Sequence, residues 1–123
     1  MAKTILIVDD SSSLRTVVRL ALTRAGYDVI EAVDGLAGLQ MLDKTPKIHL
    51  IVCDVNMPNM DGITFVTQLK QHPRHRFVPV VMLTTEGEED AKNRGRQAGA
   101  KAWMVKPFNP PQLLDAVAKL VLH

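Results

Sequence analysis

Five positions carry groups able to do chemistry, and each lies at the end of an apolar run. Asp9 and Asp10 follow Ile5-Leu6-Ile7-Val8, and Asp54 follows Leu50-Ile51-Val52-Cys53. Thr84 closes Val80-Val81-Met82-Leu83, and Lys106 follows Trp103-Met104-Val105. If those ends meet, three carboxylates, a hydroxyl and an ammonium share one small volume. Two like charges about 4 Å apart repel by roughly 4 kcal/mol at an effective dielectric near 20, against a total domain stability of about 5 to 15 kcal/mol. Something must neutralise the trio. The candidates are a raised carboxyl pKa, Lys106, or a hard divalent cation. Oxygen donors with room left for water and a phosphate suit Mg²⁺ in particular.

Elements that bring the ends together can be read from the periodicity. Five short apolar runs recur: Thr4 to Val8, Asp28 to Ala32, Leu50 to Cys53, Val78 to Leu83 and Ala102 to Val105. The first, third and fourth are apolar on consecutive positions, the pattern of strands covered on both faces. Helical periods lie between them. Leu14, Val17, Val18, Ala21 and Ala25 share a face, as do Leu36, Leu39 and Leu42. Ile63, Val66 and Leu69 form a third stripe, and Leu114, Val117, Ala118 and Val121 a last one. Ser11, Ser12 or Ser13 caps the first helix and Gly26 ends it. Asp34-Gly35 and Asp61-Gly62 open the next two, and Asn109 before Pro110-Pro111 opens the final one. The segment Glu88 to Ala98 places acids first and bases later, the order a helix dipole favours. Its apolar face is thin, so it is expected to be the least firmly docked helix. Strand alternating with helix implies right-handed crossovers and a parallel sheet between two helical layers, an α/β sandwich. Ligands of such sheets bind beyond the carboxyl ends of the strands, where the acids, Thr84 and Lys106 stand.

Composition narrows the classes further. A chain of 123 residues suits one domain over residues 1–123, and we expect no output domain. Lys and Arg number 15 against 13 Asp and Glu, a formal net charge of +2, so nucleic-acid binding is not expected. Cys53 is the only cysteine, which excludes an internal disulfide and a multi-cysteine zinc site and fits a reducing compartment. No apolar run nears the roughly 18 to 20 residues needed to cross a bilayer, and the start has no signal-peptide pattern. The expectation is a cytoplasmic, membrane-free monomer.

The fragments "ILIVDDS", "DVNMPNMDGI" around Asp54, "VVMLTTE" around Thr84 and "GAKAWMVKPF" around Lys106 occur in that order. Thirty residues separate Asp54 from Thr84 and twenty-two separate Thr84 from Lys106. With these motifs the chain resembles, over essentially its whole length, the receiver domains of two-component response regulators, most closely the stand-alone chemotaxis regulators. The resemblance implies a flavodoxin-like fold with strand order 2-1-3-4-5. It also implies that Asp54 takes a phosphoryl group from a phosphohistidine and keeps it as an acyl phosphate until water removes it. Asp10 would ligate Mg²⁺ directly, Asp9 mainly through water, with Asp54 and the main-chain carbonyl of Asn56 completing the protein ligands. Thr84 would turn towards the phosphoryl group, Trp103 would act as a gate, and Lys106, before Pro107, would neutralise charge. Asn56, Thr85 and Glu86 lie where receivers tune hydrolysis. The implied partners are a histidine kinase, a downstream protein target such as the flagellar motor switch, and a phosphatase.

Each residue also has an ordinary reading. An aspartate before a helix is a common cap, Thr84 suits a strand by propensity alone, Lys106 could snorkel from the surface, and Trp103 could be a half-buried aromatic on an edge strand. Receivers usually carry tyrosine or phenylalanine at the position of Trp103, and often a residue smaller than Thr85 beside the switch threonine. Thr85→Ala is therefore expected to alter phosphorylation or dephosphorylation rates. His72 and His75 in "QHPRHRF", with no carboxylate nearby in sequence, read as a basic surface rather than a metal site. Met57 and Met60 read as ordinary packing. Three rivals use some of the same residues: a Mg²⁺-dependent aspartyl-phosphate phosphohydrolase, a flavin mononucleotide module suggested by Ser11-Ser12-Ser13, and a receiver that never cycles. The favoured reading is a phosphorylation switch. It is not expected to be an enzyme, its chemistry being limited to self-catalysed phosphotransfer and autodephosphorylation, and its expected output is a protein contact on the face made by residues 88–98, the fifth strand and the last helix.

Overall fold

Apolar side chains on successive strand positions need cover on both sides, and the chain supplies it with two helical layers. The computed structural model describes residues 2–84, 93, 96, 98–106 and 109–122. The strands are β1 (Thr4–Val8), β2 (Asp28–Ala32), β3 (Leu50–Asp54), β4 (Val80–Thr84) and β5 (Ala102–Val105). Four helices are described in full: α1 (Ser12–Arg24), α2 (Gly35–Lys44), α3 (Gly62–Leu69) and α4 (Pro110–Leu120). All pairings are parallel, in the order β2-β1-β3-β4-β5. This is the flavodoxin-like fold that the motifs implied. The helix expected over 88–98 lies outside the described residues except at 93, 96 and 98, which are helical.

The pleat sends alternate residues to two separate cores. Leu6, Val8, Ile51, Cys53, Val80 and Met82 pack with Leu42, Phe65, Val66 and Leu69 on one side. Ile5, Ile7, Leu50, Val52, Val81 and Leu83 pack with Val18, Leu22, Leu113 and Val117 on the other. Full burial of such side chains stabilises the fold by roughly 1.5 to 3 kcal/mol each, so the strand ends that carry the polar groups are held firmly.

Capping follows the expected residues. Ser11, Asp34, Asp61 and Asn109 are the four N-caps, and Gly26 follows α1 with φ +96°. Strand bounds differ slightly, because Asp54 and Thr84 continue their strands rather than following them. The helix faces need more correction. In α1 the buried residues are Val18 and Leu22, and Val17 is 47% exposed. Arg15 reaches inward to the Asp9 carbonyl, and this turns Val17 away. In α2, Leu36 is 47% exposed, while Gly35, Gly38 and Leu42 face inward. A Cβ on Gly38 would lie 2.7 Å from Cε1 of Phe65, so glycine is what lets α2 approach α3. In α4, Leu113 and Val117 are buried and Ala118 is exposed.

Candidate functional site

β1 and β3 are neighbours, and the chain leaves them in opposite directions across the sheet, to β2 and to β4. The carboxyl ends of this pair form the switch point where the strand order reverses. Asp9 and Asp10 follow β1 and Asp54 ends β3. One oxygen each from Asp9, Asp10 and Asp54 lies within 4.8 Å of the others; Asp9 and Asp54 are buried and Asp10 is exposed. Lys106, one residue past β5, brings Nζ to 3.2 Å from Asp54 Oδ1 and 3.4 Å from Asp9 Oδ2. The lysine side chain is only 16% exposed, so it enters the pocket rather than snorkelling over it.

Backbone bonds fix these positions. The Asp9 amide donates to Ala32 O at 3.1 Å, and Asp9 Oδ1 accepts the Ser11 amide at 2.8 Å. Arg15 Nη1 donates to the Asp9 carbonyl at 2.6 Å while its Nε sits 3.2 Å from Glu31 Oε1. Beyond β3, Val55 donates to Leu83 O at 3.1 Å and accepts from the Gly62 amide at 2.8 Å. A Cβ on Gly62 would collide with the Asp54 carbonyl, so only glycine lets α3 start so close to the carboxylate. Thr84 is fully buried beside this end of β3, and its carbonyl accepts the Lys106 amide at 2.6 Å.

The electrostatics follow from that packing. Burial raises the Asp54 carboxyl above its ordinary pKa, the Asp9 charge raises it further, and Lys106 offsets part of the rise. Two of the anticipated remedies thus act together, and the third can be tested against the donor set. Three carboxylate oxygens, no sulfur or imidazole, and one ligand residue open to solvent fit a hard cation that keeps some of its water. This acidic cluster can hold a metal ion.

Other expected residues are placed as follows. The Asn56 side chain is exposed. Trp103 is half-buried on β5, packs against the core on the α2 and α3 side, and has its Nε1 buried with no hydrogen-bond partner among the described residues. Met57 and Met60 pack against that same core. Thr85, Glu86 and Pro107 lie outside the described residues. The His72 and His75 expectation needs correction. His75 is buried rather than on the surface, its Nε2 3.0 Å from Leu42 O and 2.9 Å from Thr45 O. A carboxylate is also close, with His72 Nε2 3.0 Å from Asp43 Oδ1. His72 Nδ1 accepts the Arg74 amide, so these ring nitrogens are occupied in locking the end of α2. Sequence reasoning missed Arg15, Glu31 and Asn59, and saw Asp34 and Gly62 only as helix openers.

A doubly wound sheet whose switch point gathers three carboxylates and a lysine defines an acidic-pocket domain of the flavodoxin-like fold. The chain belongs to the response regulator receiver domain family, whose model matches residues 5–118. It is 36% identical over 119 residues to the chemotaxis protein CheY1 of Helicobacter pylori, covering 96% of this chain and 95% of that one. It is 43% identical over 123 residues to the alkaline phosphatase synthesis transcriptional regulatory protein PhoP of Bacillus subtilis, all of this chain but 50% of PhoP. The solved structure of Vibrio cholerae chemotaxis protein CheY4 superposes with a TM-score of 0.92 at 40% identity, covering 98% of this chain and 99% of the other.

Proposed function

We propose that this chain is a CheY-type phosphorylation switch in which Asp54 is the phosphoacceptor and Mg²⁺ the cofactor. The observation that carries the reading is the convergence of Asp9, Asp10, Asp54 and Lys106 at the switch point of the sheet. Asp54 Oδ attacks the phosphorus of a phosphohistidine on a histidine kinase. The new bond joins Oδ to phosphorus, the phosphorus–nitrogen bond breaks, and the imidazole leaves. Hydrolysis reverses the state when water displaces the carboxylate and inorganic phosphate departs. Such transfer depends on positioning and charge neutralisation more than on proton transfer.

Mg²⁺, when held there, would supply positive charge against the carboxylates and the incoming phosphoryl oxygens. Asp9, Asp10, Asp54 and the Asn56 carbonyl would hold it. Lys106 supplies a second positive charge to the same oxygens. A hydrogen bond from Thr84 to a charged phosphoryl oxygen is worth roughly 1.5 to 3 kcal/mol and exists only in the phosphorylated state, so it biases a two-state equilibrium. In this reading Trp103 responds to that shift. Its ring packs against the α2 and α3 core, and it also lines a cavity of about 610 Å³ between β5 and α4, with Gln112, Ala116 and Lys119. We assign this face to the downstream protein target, and Asn56, Thr85 and Glu86 to the tuning of hydrolysis.

Chemotaxis is the favoured setting, because CheY1 and CheY4 match this chain over nearly their full lengths. The kinase, the motor switch as target, a phosphatase, the cytoplasmic location and the single-domain organisation belong to that reading. None of the helices among the described residues is long and apolar enough to cross a membrane. A non-chemotaxis phosphorelay or phosphate sink is the second reading, favoured by the 43% identity to PhoP, of which this chain spans half. A titration of Trp103 fluorescence tests the switch. Mg²⁺ followed by beryllofluoride is expected to give two successive changes, and Asp54→Asn to abolish the second. A beryllofluoride response that survives Asp54→Asn contradicts the assignment.

A further inference from the structure

The segment from Glu31 to Gly35 contributes no side chain to the acidic pocket, yet it touches both halves of it. On one side, Ala32 accepts the Asp9 amide at 3.1 Å, and Glu31 holds the Arg15 that donates to the Asp9 carbonyl. On the other side, Asp34 reaches the loop that follows Asp54. One Asp34 oxygen caps α2, accepting the Ala37 amide at 2.8 Å. The second accepts from Asn59 Nδ2 at 2.7 Å.

Asn59 stands in the left-handed region at φ 68°, a conformation that asparagine tolerates better than most residues. Beside it, Met60 lies so close to Gly35 that a Cβ there would come within 2.8 Å of Met60 Cγ. Among the described residues, the Asn59 to Asp34 bond is the only side-chain hydrogen bond joining residues 56–60 to another element. Both of its bonds hold the buried Asp34 carboxyl below its ordinary pKa, consistent with an ionised acceptor.

We infer that Asp34 and Asn59 are positioning residues for the loop after Asp54: their tie fixes the course of residues 56–60, and with it the Asn56 carbonyl, relative to the Asp9–Asp10 turn. The inference rests on the proposed Mg²⁺ site. A loop already ordered at folding need not be ordered at each binding event. A loop that wanders lowers affinity by the fraction of time its carbonyl faces elsewhere.

Two substitutions remove the tie from opposite ends while keeping the local structure. Asn59→Gly retains the left-handed backbone, and Asp34→Ser retains a helix cap. Calorimetric Mg²⁺ titration is expected to give roughly tenfold weaker binding for each, the lower end of what outer-shell partners cost. The double variant should be no weaker than either single one, because one bond is lost in all three. In the metal-free proteins, amide exchange across residues 56–60 should accelerate while the urea midpoint moves little.

Wild-type Mg²⁺ affinity in both single variants, or losses that multiply in the double variant, overturns the inference. So does weakened Mg²⁺ binding with unchanged loop exchange. If the wild type itself binds no Mg²⁺ while exchange still accelerates in the variants, the metal-site reading fails and the tie stands as the device that orders the loop.

Discussion

At the amino-terminal end of the sheet, His75 is buried with two backbone carbonyls within 3.0 Å of its Nε2, and Arg74 Nη2 adds a bond to Asp43 O at 2.7 Å. At the carboxyl end, Asp54 and Asp9 are buried side by side with one lysine between them. Both ends bury polar groups, and they do so to opposite effect. His75 donates to carbonyls that α2 leaves open at its last turn, a need every helix has. Asp54 is held in a place where burial and a like charge disfavour its ionised form. Lys106 offsets part of that conflict, and a cation held by the acidic cluster would offset more of it.

Substitutions at the two ends should therefore separate function from folding. The largest effect is expected for Asp54→Asn, which should abolish phosphoryl acceptance from acetyl phosphate, measured by intact-protein mass. It should also raise the urea midpoint of the metal-free protein, because repulsion with Asp9 disappears. A lowered midpoint would mean that the carboxylates are not in conflict. Next, Lys106→Met should slow phosphorylation by about a hundredfold, as loss of a preorganised charge partner does elsewhere, read from single-turnover rates at saturating Mg²⁺. A rate within twofold of wild type would remove Lys106 from the chemistry.

The opposite end should answer in reverse. His75→Ala leaves the Thr45 carbonyl without the imidazole donor and Leu42 O with only the 3.3 Å bond from Arg74 Nη2, and is expected to cost about 1 to 3 kcal/mol of stability in urea unfolding. The phosphorylation rate of the folded fraction should stay within twofold of wild type. A large rate change would blur the division between the ends. The smallest effect concerns His49, whose Nδ1 accepts the Thr4 amide at 2.9 Å. Burial, and then Lys47, holds its pKa below the ordinary histidine value. The folded protein thus binds fewer protons there than the unfolded chain. The resulting stability is full above pH about 6.5 and is lost as pH falls towards the depressed folded value. Thermal unfolding from pH 7.5 down to 5 should show a decline that His49→Gln reduces.

How much of this was legible beforehand depended on the kind of signal. Asp9, Asp10, Asp54, Thr84 and Lys106 could be found because each interrupts or closes a run that must be buried, and a doubly wound sheet brings strand ends together. Caps were equally plain, since Ser11, Asp34, Asp61 and Asn109 act on amides three residues away. Contacts between distant segments left no such trace. Asn59 lies 25 residues from Asp34, and His75 lies 33 from Leu42. Spacing alone says nothing of either pairing. The helix faces of α1 and α2 were misread for a related reason. Counting apolar residues favoured Val17 and Leu36, whereas α1 turns Arg15 towards the Asp9 carbonyl and α2 meets Met60 and Phe65 through Gly35 and Gly38, whose absent side chains make the contact possible.

The central claim is that Asp54 captures a phosphoryl group in a pocket completed by Mg²⁺. Incubation with a labelled phosphohistidine donor, with and without Mg²⁺, followed by reductive borohydride trapping and peptide mapping, tests it directly. The account predicts label on Asp54 alone and only when Mg²⁺ is present. Label on another residue, or equal labelling after chelation, would contradict it.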